Sequence, residues 1–138
     1  MEKEQIFEFI RKNPVFALAT ADKNIPHVRY MMIYRAKENG LIFSTGENKD
    51  LHRQLQDNPM VEMCFYSHEE QKQIRVSGTV EELEDIELKK QLVKDLPFLK
   101  EWVDREGYDV LVTYCIRGGK ALEWTMETNF APKEYNEL

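Results

Sequence analysis

The chain has 138 residues, 42% of them hydrophobic and 32% charged, a balance that fits one globular domain and excludes a collagen-like or disordered polymer. Acidic residues outnumber basic ones 25 to 19, for a net charge of −6, so the broad basic face that nucleic-acid backbones demand is missing. Any anion site must be local.

In residues 5–11, Ile6, Phe9 and Ile10 share one helical face, and Asn13-Pro14 ends the helix. Residues 15–20 (VFALAT) predict a strand running into a turn at Asp22-Lys23-Asn24. The run 27–35 (HVRYMMIYR) predicts one long strand, with 41–45 (LIFST) returning beside it as a hairpin across Glu38-Asn39-Gly40. Residues 48–57 predict a short polar helix that buries only Leu51 and Leu55 and stops at Asn58-Pro59. Residues 61–67 and 73–82 predict a second hairpin, turning near 68–71. Leu88, Leu92, Leu96, Leu99 and Val103 give 86–106 a helical period, which Pro97 divides into two helices. A last hairpin is expected from 110–116 and 121–126 around Gly118-Gly119, and the polar tail 127–138 offers Phe130 and Tyr135 as anchors. Six or seven closely spaced strands with peripheral helices predict a mainly β protein, a single small antiparallel β-barrel domain over 1–138.

Cys64 and Cys115 lie far apart in strand-like runs, so both are expected to be buried, reduced thiols. The N-terminus is charged throughout and no stretch approaches about 18 consecutive apolar residues, which predicts a cytoplasmic protein with no membrane or nucleic-acid partner. His27, His52 and His68 show no metal-ligand spacing, and no phosphate-loop, dinucleotide or nucleophile-elbow motif occurs. No metal site and no catalytic acid, base or nucleophile is nominated.

Three features carry binding chemistry. In Ser44-Thr45-Gly46-Glu47-Asn48-Lys49 a strand ends in two hydroxyls, a glycine permits a sharp turn, and Asn48 can cap the short helix. Lys49 then sits at the positive end of that helix, either as a plain exposed lysine or as one of the donors to a bound anion. Alternation along 27–34 puts Arg29, Met31 and Ile33 on one face and Val28, Tyr30, Met32 and Tyr34 on the other. Both faces are largely apolar and should be buried, one inside the barrel and one against a partner surface or a planar ligand. Gln73, Arg75, Ser77 and Thr79 form the polar face of the next long strand, which a solvated surface explains as well as a ligand wall does.

In order and spacing these pieces resemble the FMN-binding split barrel of the pyridoxamine 5′-phosphate oxidase family. The resemblance spans about residues 15–82 and is strongest from Arg29 to Gln73: RYMMIY, then FST, then NPMVEMCFY, then QIRVSGTVE. It implies an FMN-binding split β-barrel, a homodimer with the flavin at the subunit interface, and a small-molecule substrate. The resemblance assigns Arg29, Tyr30, Met31 and Met32 to the strand that meets the cofactor, and Ser44 and Thr45 to the strand end beside it. Gln73 matches a glutamine that hydrogen-bonds the flavin ring. The family's basic pair at the start of the short helix falls on Asp50 and Leu51, so Lys49, beside Asn48, is the substitute phosphate ligand. A barrel this small fills its own interior, so the ring must lie outside it, with Trp124 as the candidate lid.

Two departures bear on the reaction. The family's lysine for the substrate phosphate is replaced by Tyr34, and its carboxy-terminal arginine cluster is missing from 120–138. Both argue against pyridoxamine phosphate as substrate and towards the short stress-response and nitroimidazole-reductase-like relatives. The function implied is a flavoprotein oxidoreductase passing electrons from a reduced nicotinamide or similar donor to a small acceptor. A flavin-storing or flavin-sensing module and a relative using a deazaflavin or haem are the alternatives.

Overall fold

The computed structural model describes residues 1–138. Helix α1 (Lys3–Lys12) opens the chain with a capping box between Glu2 and Gln5 and buries Ile6, Phe7, Phe9 and Ile10. Strands β1 (Val15–Asp22) and β2 (Ile25–Met32) pair through a two-residue turn in which Lys23 and Asn24 both take positive φ, 49° and 70°. Strands β3 (Arg35–Lys37) and β4 (Gly40–Gly46) follow, then helix α2 (Asp50–Asp57) and strands β5 (Met60–Ser67) and β6 (Lys72–Leu83). Helices α3 (Ile86–Asp95) and α4 (Lys100–Glu106) are separated at Pro97 as expected. Strands β7 (Leu111–Ile116), β8 (Lys120–Thr125) and β9 (Tyr135–Glu137) complete the chain.

The expected long strand 27–35 is two strands. β2 pairs only with β1, then the chain turns a corner at Ile33 and Tyr34, whose amides bond Pro14 O and Ile42 O. The hairpin expected between 27–35 and 41–45 is thereby reduced to the three-residue β3 against β4. The corner arises because Ile33 is drawn into the barrel core while Tyr34 packs with the separate cluster beneath α3 and α4.

The last expected hairpin does not form either. β7 and β8 both pair with β6, but with different halves of it: Val80–Leu83 against β7 and Lys72–Ser77 against β8. Between them Gly118, with φ 66°, and Gly119 carry the chain across β6, so close that a Cβ on Gly119 would stand 3.0 Å from Ser77 O. β6 thus belongs to two sheets, β2-β1-β5-β6-β8-β9 and β6-β7-β4-β3, and the corner at Ile33 joins them again on the far side. This is the split barrel.

Its interior is filled by Phe16, Leu18, Phe43, Met63, Phe65, Ile74, Val76 and Tyr114, all fully buried. α1 packs near the Val15 end of β1, and α2 lies at the Thr20 end, where Thr20 donates to Gln54 Oε1 at 2.6 Å. α3 and α4 cover the second sheet, setting Leu88, Leu92 and Val103 on Ile42, Leu111 and Cys115. Nothing covers the outer face of the first sheet. There Val28, Tyr30 and Met32 are 70%, 81% and 60% exposed, so the face expected to be buried has no partner within one chain. The tail also departs from expectation: Phe130 is 97% exposed, Tyr135 is exposed on β9, and it is Leu138 that packs on the core. No helix is long and apolar enough to cross a membrane. Both cysteines are free, Cys115 buried and Cys64 half-buried.

Candidate functional site

Arg29 points away from the uncovered face, towards α2. Its guanidinium donates to Gln54 Oε1 at 2.7 Å, Thr20 Oγ1 at 2.9 Å and Leu18 O at 3.3 Å, leaving two of its five N–H donors free. Burial lowers its pKa, and the negative charge of Asp50 at the start of α2 works the other way. A partly desolvated cation therefore lies beside the positive end of a helix. Lys49 occupies the N-cap of α2, is exposed, and joins none of the ion pairs; those of α2 run from Arg53 to Asp22 and Asp57. The expected cap by Asn48 is not made. The tight turn that bonds Lys49 N to Gly46 O starts the helix one residue later, and no side chain caps its first turn.

β4 delivers Ser44 and Thr45, both half-buried, into that same turn, opposite Thr113 and Val112 of β7. Alternation sets Thr45 on the Phe43 side, towards the barrel interior, and Ser44 on the Ile42 side. Arg29, Lys49, Asn48 and Thr45 thus gather around the approach to α2.

The other candidates form a second group on the uncovered face. One row runs across five strands as Tyr30, Ala17, Cys64, Arg75 and Leu122. Beside it Gln73 pairs with both Tyr66 and Trp124. The Cys64 thiol donates to Gln73 Oε1 at 3.0 Å, and the Trp124 indole N–H donates to Asn129 Oδ1 at 2.9 Å. Arg75 Nε is buried with no hydrogen-bond partner, although Glu62 lies 3.7 Å away. Met32 stands on this face, but Met31, assigned with it to the strand that meets the cofactor, packs against the core, because odd positions of β2 turn inward.

Tyr34 leaves both groups. Its hydroxyl donates to Asp95 Oδ2 at 2.5 Å, and it lines a cavity of about 270 Å³ with Arg11, Arg35 and Lys37. Burial, then the hydrogen bond to Asp95, raises the Tyr34 pKa, so the phenol stays a neutral donor. Another cavity, about 430 Å³, is lined by His52, Lys89 and five carboxylates including Glu47, Glu82 and Asp85, the wrong sign for a phosphate. Cys64, Thr20 and Gln54 are the site neighbours that the sequence reading missed. Only strand register and helix docking reveal them.

Residues 2–111 match the family described as Pyridoxamine 5′-phosphate oxidase. A curated relative, the pyridoxine/pyridoxamine 5′-phosphate oxidase of Pelagibacter ubique, is 32% identical over 68 residues, 49% of this chain and 33% of that protein. The chain thus matches about a third of that relative's length. Among solved structures, a NimC/NimA family protein from Clostridium acetobutylicum superposes with a TM-score of 0.79 at 24% identity, covering 99% of this chain and 93% of the other. General Stress Protein 26 from Bacillus anthracis gives 0.76 at 22% identity, covering 99% and 98%.

Proposed function

The chain belongs to the pyridoxamine 5′-phosphate oxidase family, and from that membership we propose that it binds FMN at the interface of a homodimer and passes electrons from a reduced nicotinamide or similar donor to a small acceptor. The observation that carries this reading is edge strand β2, which presents the uncovered apolar face of Val28, Tyr30 and Met32 on one side and turns Arg29 towards α2 on the other. A flat apolar ring with an anionic tail needs both kinds of surface side by side.

The residues present fit such a group. Arg29 has free donors, Lys49 is unpaired, and the first turn of α2 has no side-chain cap, which together suit a phosphate. Tyr30 and Met32, with the Gln73–Trp124 pair, suit the ring. Arg29 lies on β2 and Gln73 on β6, three strand spacings away, roughly 14 Å, and they face opposite sides of the sheet. A two-fold axis along the strands sets β2 of one copy opposite β8 of its partner, which would bring the partner's Gln73 and Trp124 to the first copy's Tyr30 and Met32.

Bound FMN supplies the redox chemistry; the chain's residues supply position, charge and exclusion of water. Arg29 and Lys49 hold the phosphate, Tyr30 and Met32 support the ring, and Gln73 contacts its polar edge. No side chain is assigned as acid or base. Tyr34 and Asp95 present a phenol and a carboxylate where the family resemblance puts a lysine for the substrate phosphate, and Arg35 lies 5.5 Å from the Tyr34 ring centroid.

Titration with FMN should give a yellow complex with one flavin per subunit, which oxidises a reduced nicotinamide with quinone or nitro acceptors but makes no pyridoxal phosphate from pyridoxamine phosphate. Failure to take up FMN, a haem-type Soret band, or brisk pyridoxal phosphate formation would each overturn this assignment. Flavin uptake without turnover would favour storage or sensing instead.

Asp50 is an unfavourable charge in the proposed phosphate site, because it competes with the phosphate for Arg29. Asp50→Asn should raise the ratio of FMN to riboflavin affinity by about three- to fivefold, the scale of one partly exposed charge pair. Isothermal titration with the two flavins reads it, and an unchanged or lower ratio would place the phosphate elsewhere.

A further inference from the structure

Cys64 stands on the uncovered face of β5, directly opposite Arg75 and diagonal to Gln73. Its Sγ lies 3.0 Å from Gln73 Oε1. A thiol donates a hydrogen bond only while protonated. Burial raises the Cys64 pKa and Glu62 adds to that, while Arg75 lowers it; the net shift is upward, so the group is a thiol at neutral pH. A glutamine amide can present either its carbonyl or its NH2 by a half-turn of its last torsion. With the carbonyl occupied by Cys64, the NH2 is the end left to offer.

We infer that Cys64 is a positioning residue: its hydrogen bond locks Gln73 with the NH2 outward, making Gln73 a donor to the polar edge of the flavin. This rests on the flavin reading above. The ring edge carries both acceptors and a donor, so the end of the amide that faces it matters. An NH2 held against an acceptor favours negative charge on the ring and therefore the reduced form.

The test compares Cys64→Ala with Cys64→Ser, whose hydroxyl keeps the donor. Cys64→Ala should weaken FMN and riboflavin alike by about three- to tenfold, the scale of one hydrogen bond, and move the bound-FMN midpoint potential to more negative values. In the flavin-free protein it should also shift the Gln73 side-chain carbonyl carbon resonance. Cys64→Ser should restore all three, and in a Gln73→Ala background Cys64→Ala should cost nothing further. Wild-type affinity and potential in Cys64→Ala, or a Cys64→Ser variant as impaired as Cys64→Ala, would overturn the inference, the latter by making the sulfur a packing group. An unmoved carbonyl resonance in flavin-free Cys64→Ala removes the hydrogen bond itself. A wild-type protein that takes up no FMN overturns the flavin reading first, and this inference with it.

Discussion

Tyr30→Asp should convert the protein from a dimer to a monomer and abolish tight FMN binding in the same step. Tyr30 is 81% exposed at the middle of an apolar row, with Val28 and Met32 on either side of it along β2 and Ala17 opposite on β1. A partner copy packed on this face would desolvate it. A carboxylate placed there must be desolvated with no cation of its own chain beside it, because the row's Arg75 lies three strands away beside Glu62. At about 2 kcal/mol for each buried, unsatisfied polar group, and two copies per symmetric interface, dimerisation weakens by about 4 kcal/mol, roughly a thousandfold. Sedimentation at micromolar concentration, with circular dichroism to show that the variant is folded, reads the result. A wild-type protein that sediments as a monomer, or a Tyr30→Asp variant that remains a wild-type dimer, would remove this interface.

Lys49→Ala should weaken FMN binding about 10- to 150-fold and leave riboflavin nearly untouched, whereas Gln73→Ala should weaken both flavins alike. Lys49 caps α2 without contributing a side-chain hydrogen bond to it, so its loss leaves the helix intact. Its ammonium is free to make one charge-assisted hydrogen bond to a phosphate, worth roughly 1.5–3 kcal/mol. Gln73 sits in the other group of the site, paired with Trp124, and on the proposed flavin reading would meet only what the two flavins share. Fluorescence quenching with each flavin tests both roles together. If Lys49→Ala kept the wild-type ratio of FMN to riboflavin affinity, the phosphate would have to rest on Arg29 alone.

The site was only partly legible in the sequence, and the reason differs from residue to residue. Lys49 and the hydroxyls before it are neighbours along the chain, so the Ser44-to-Lys49 segment could be singled out directly as a candidate anion site. Arg29 could be placed on a strand but not aimed; its contacts with Thr20 and Gln54 come from β1 and from a helix that docks later. The Cys64–Gln73 bond is invisible to any local pattern, because it depends on the register in which β5 meets β6.

The same division holds for the fold. What the sequence determined by itself is what short-range chemistry controls. The alternation of apolar residues marks the strands, Lys23-Asn24 turns tightly, Pro97 interrupts a helical period, and Asn13-Pro14 stops the first helix. What only the tertiary structure decided is which strands pair. β6 is long enough to serve two sheets, Gly118-Gly119 carries the chain over it where a hairpin was expected, and Ile33 and Tyr34 bend one apolar run into a corner because their side chains belong to different cores. Pairing is settled by burial and backbone hydrogen bonding between segments far apart in the chain, and those terms have no signature in any local window.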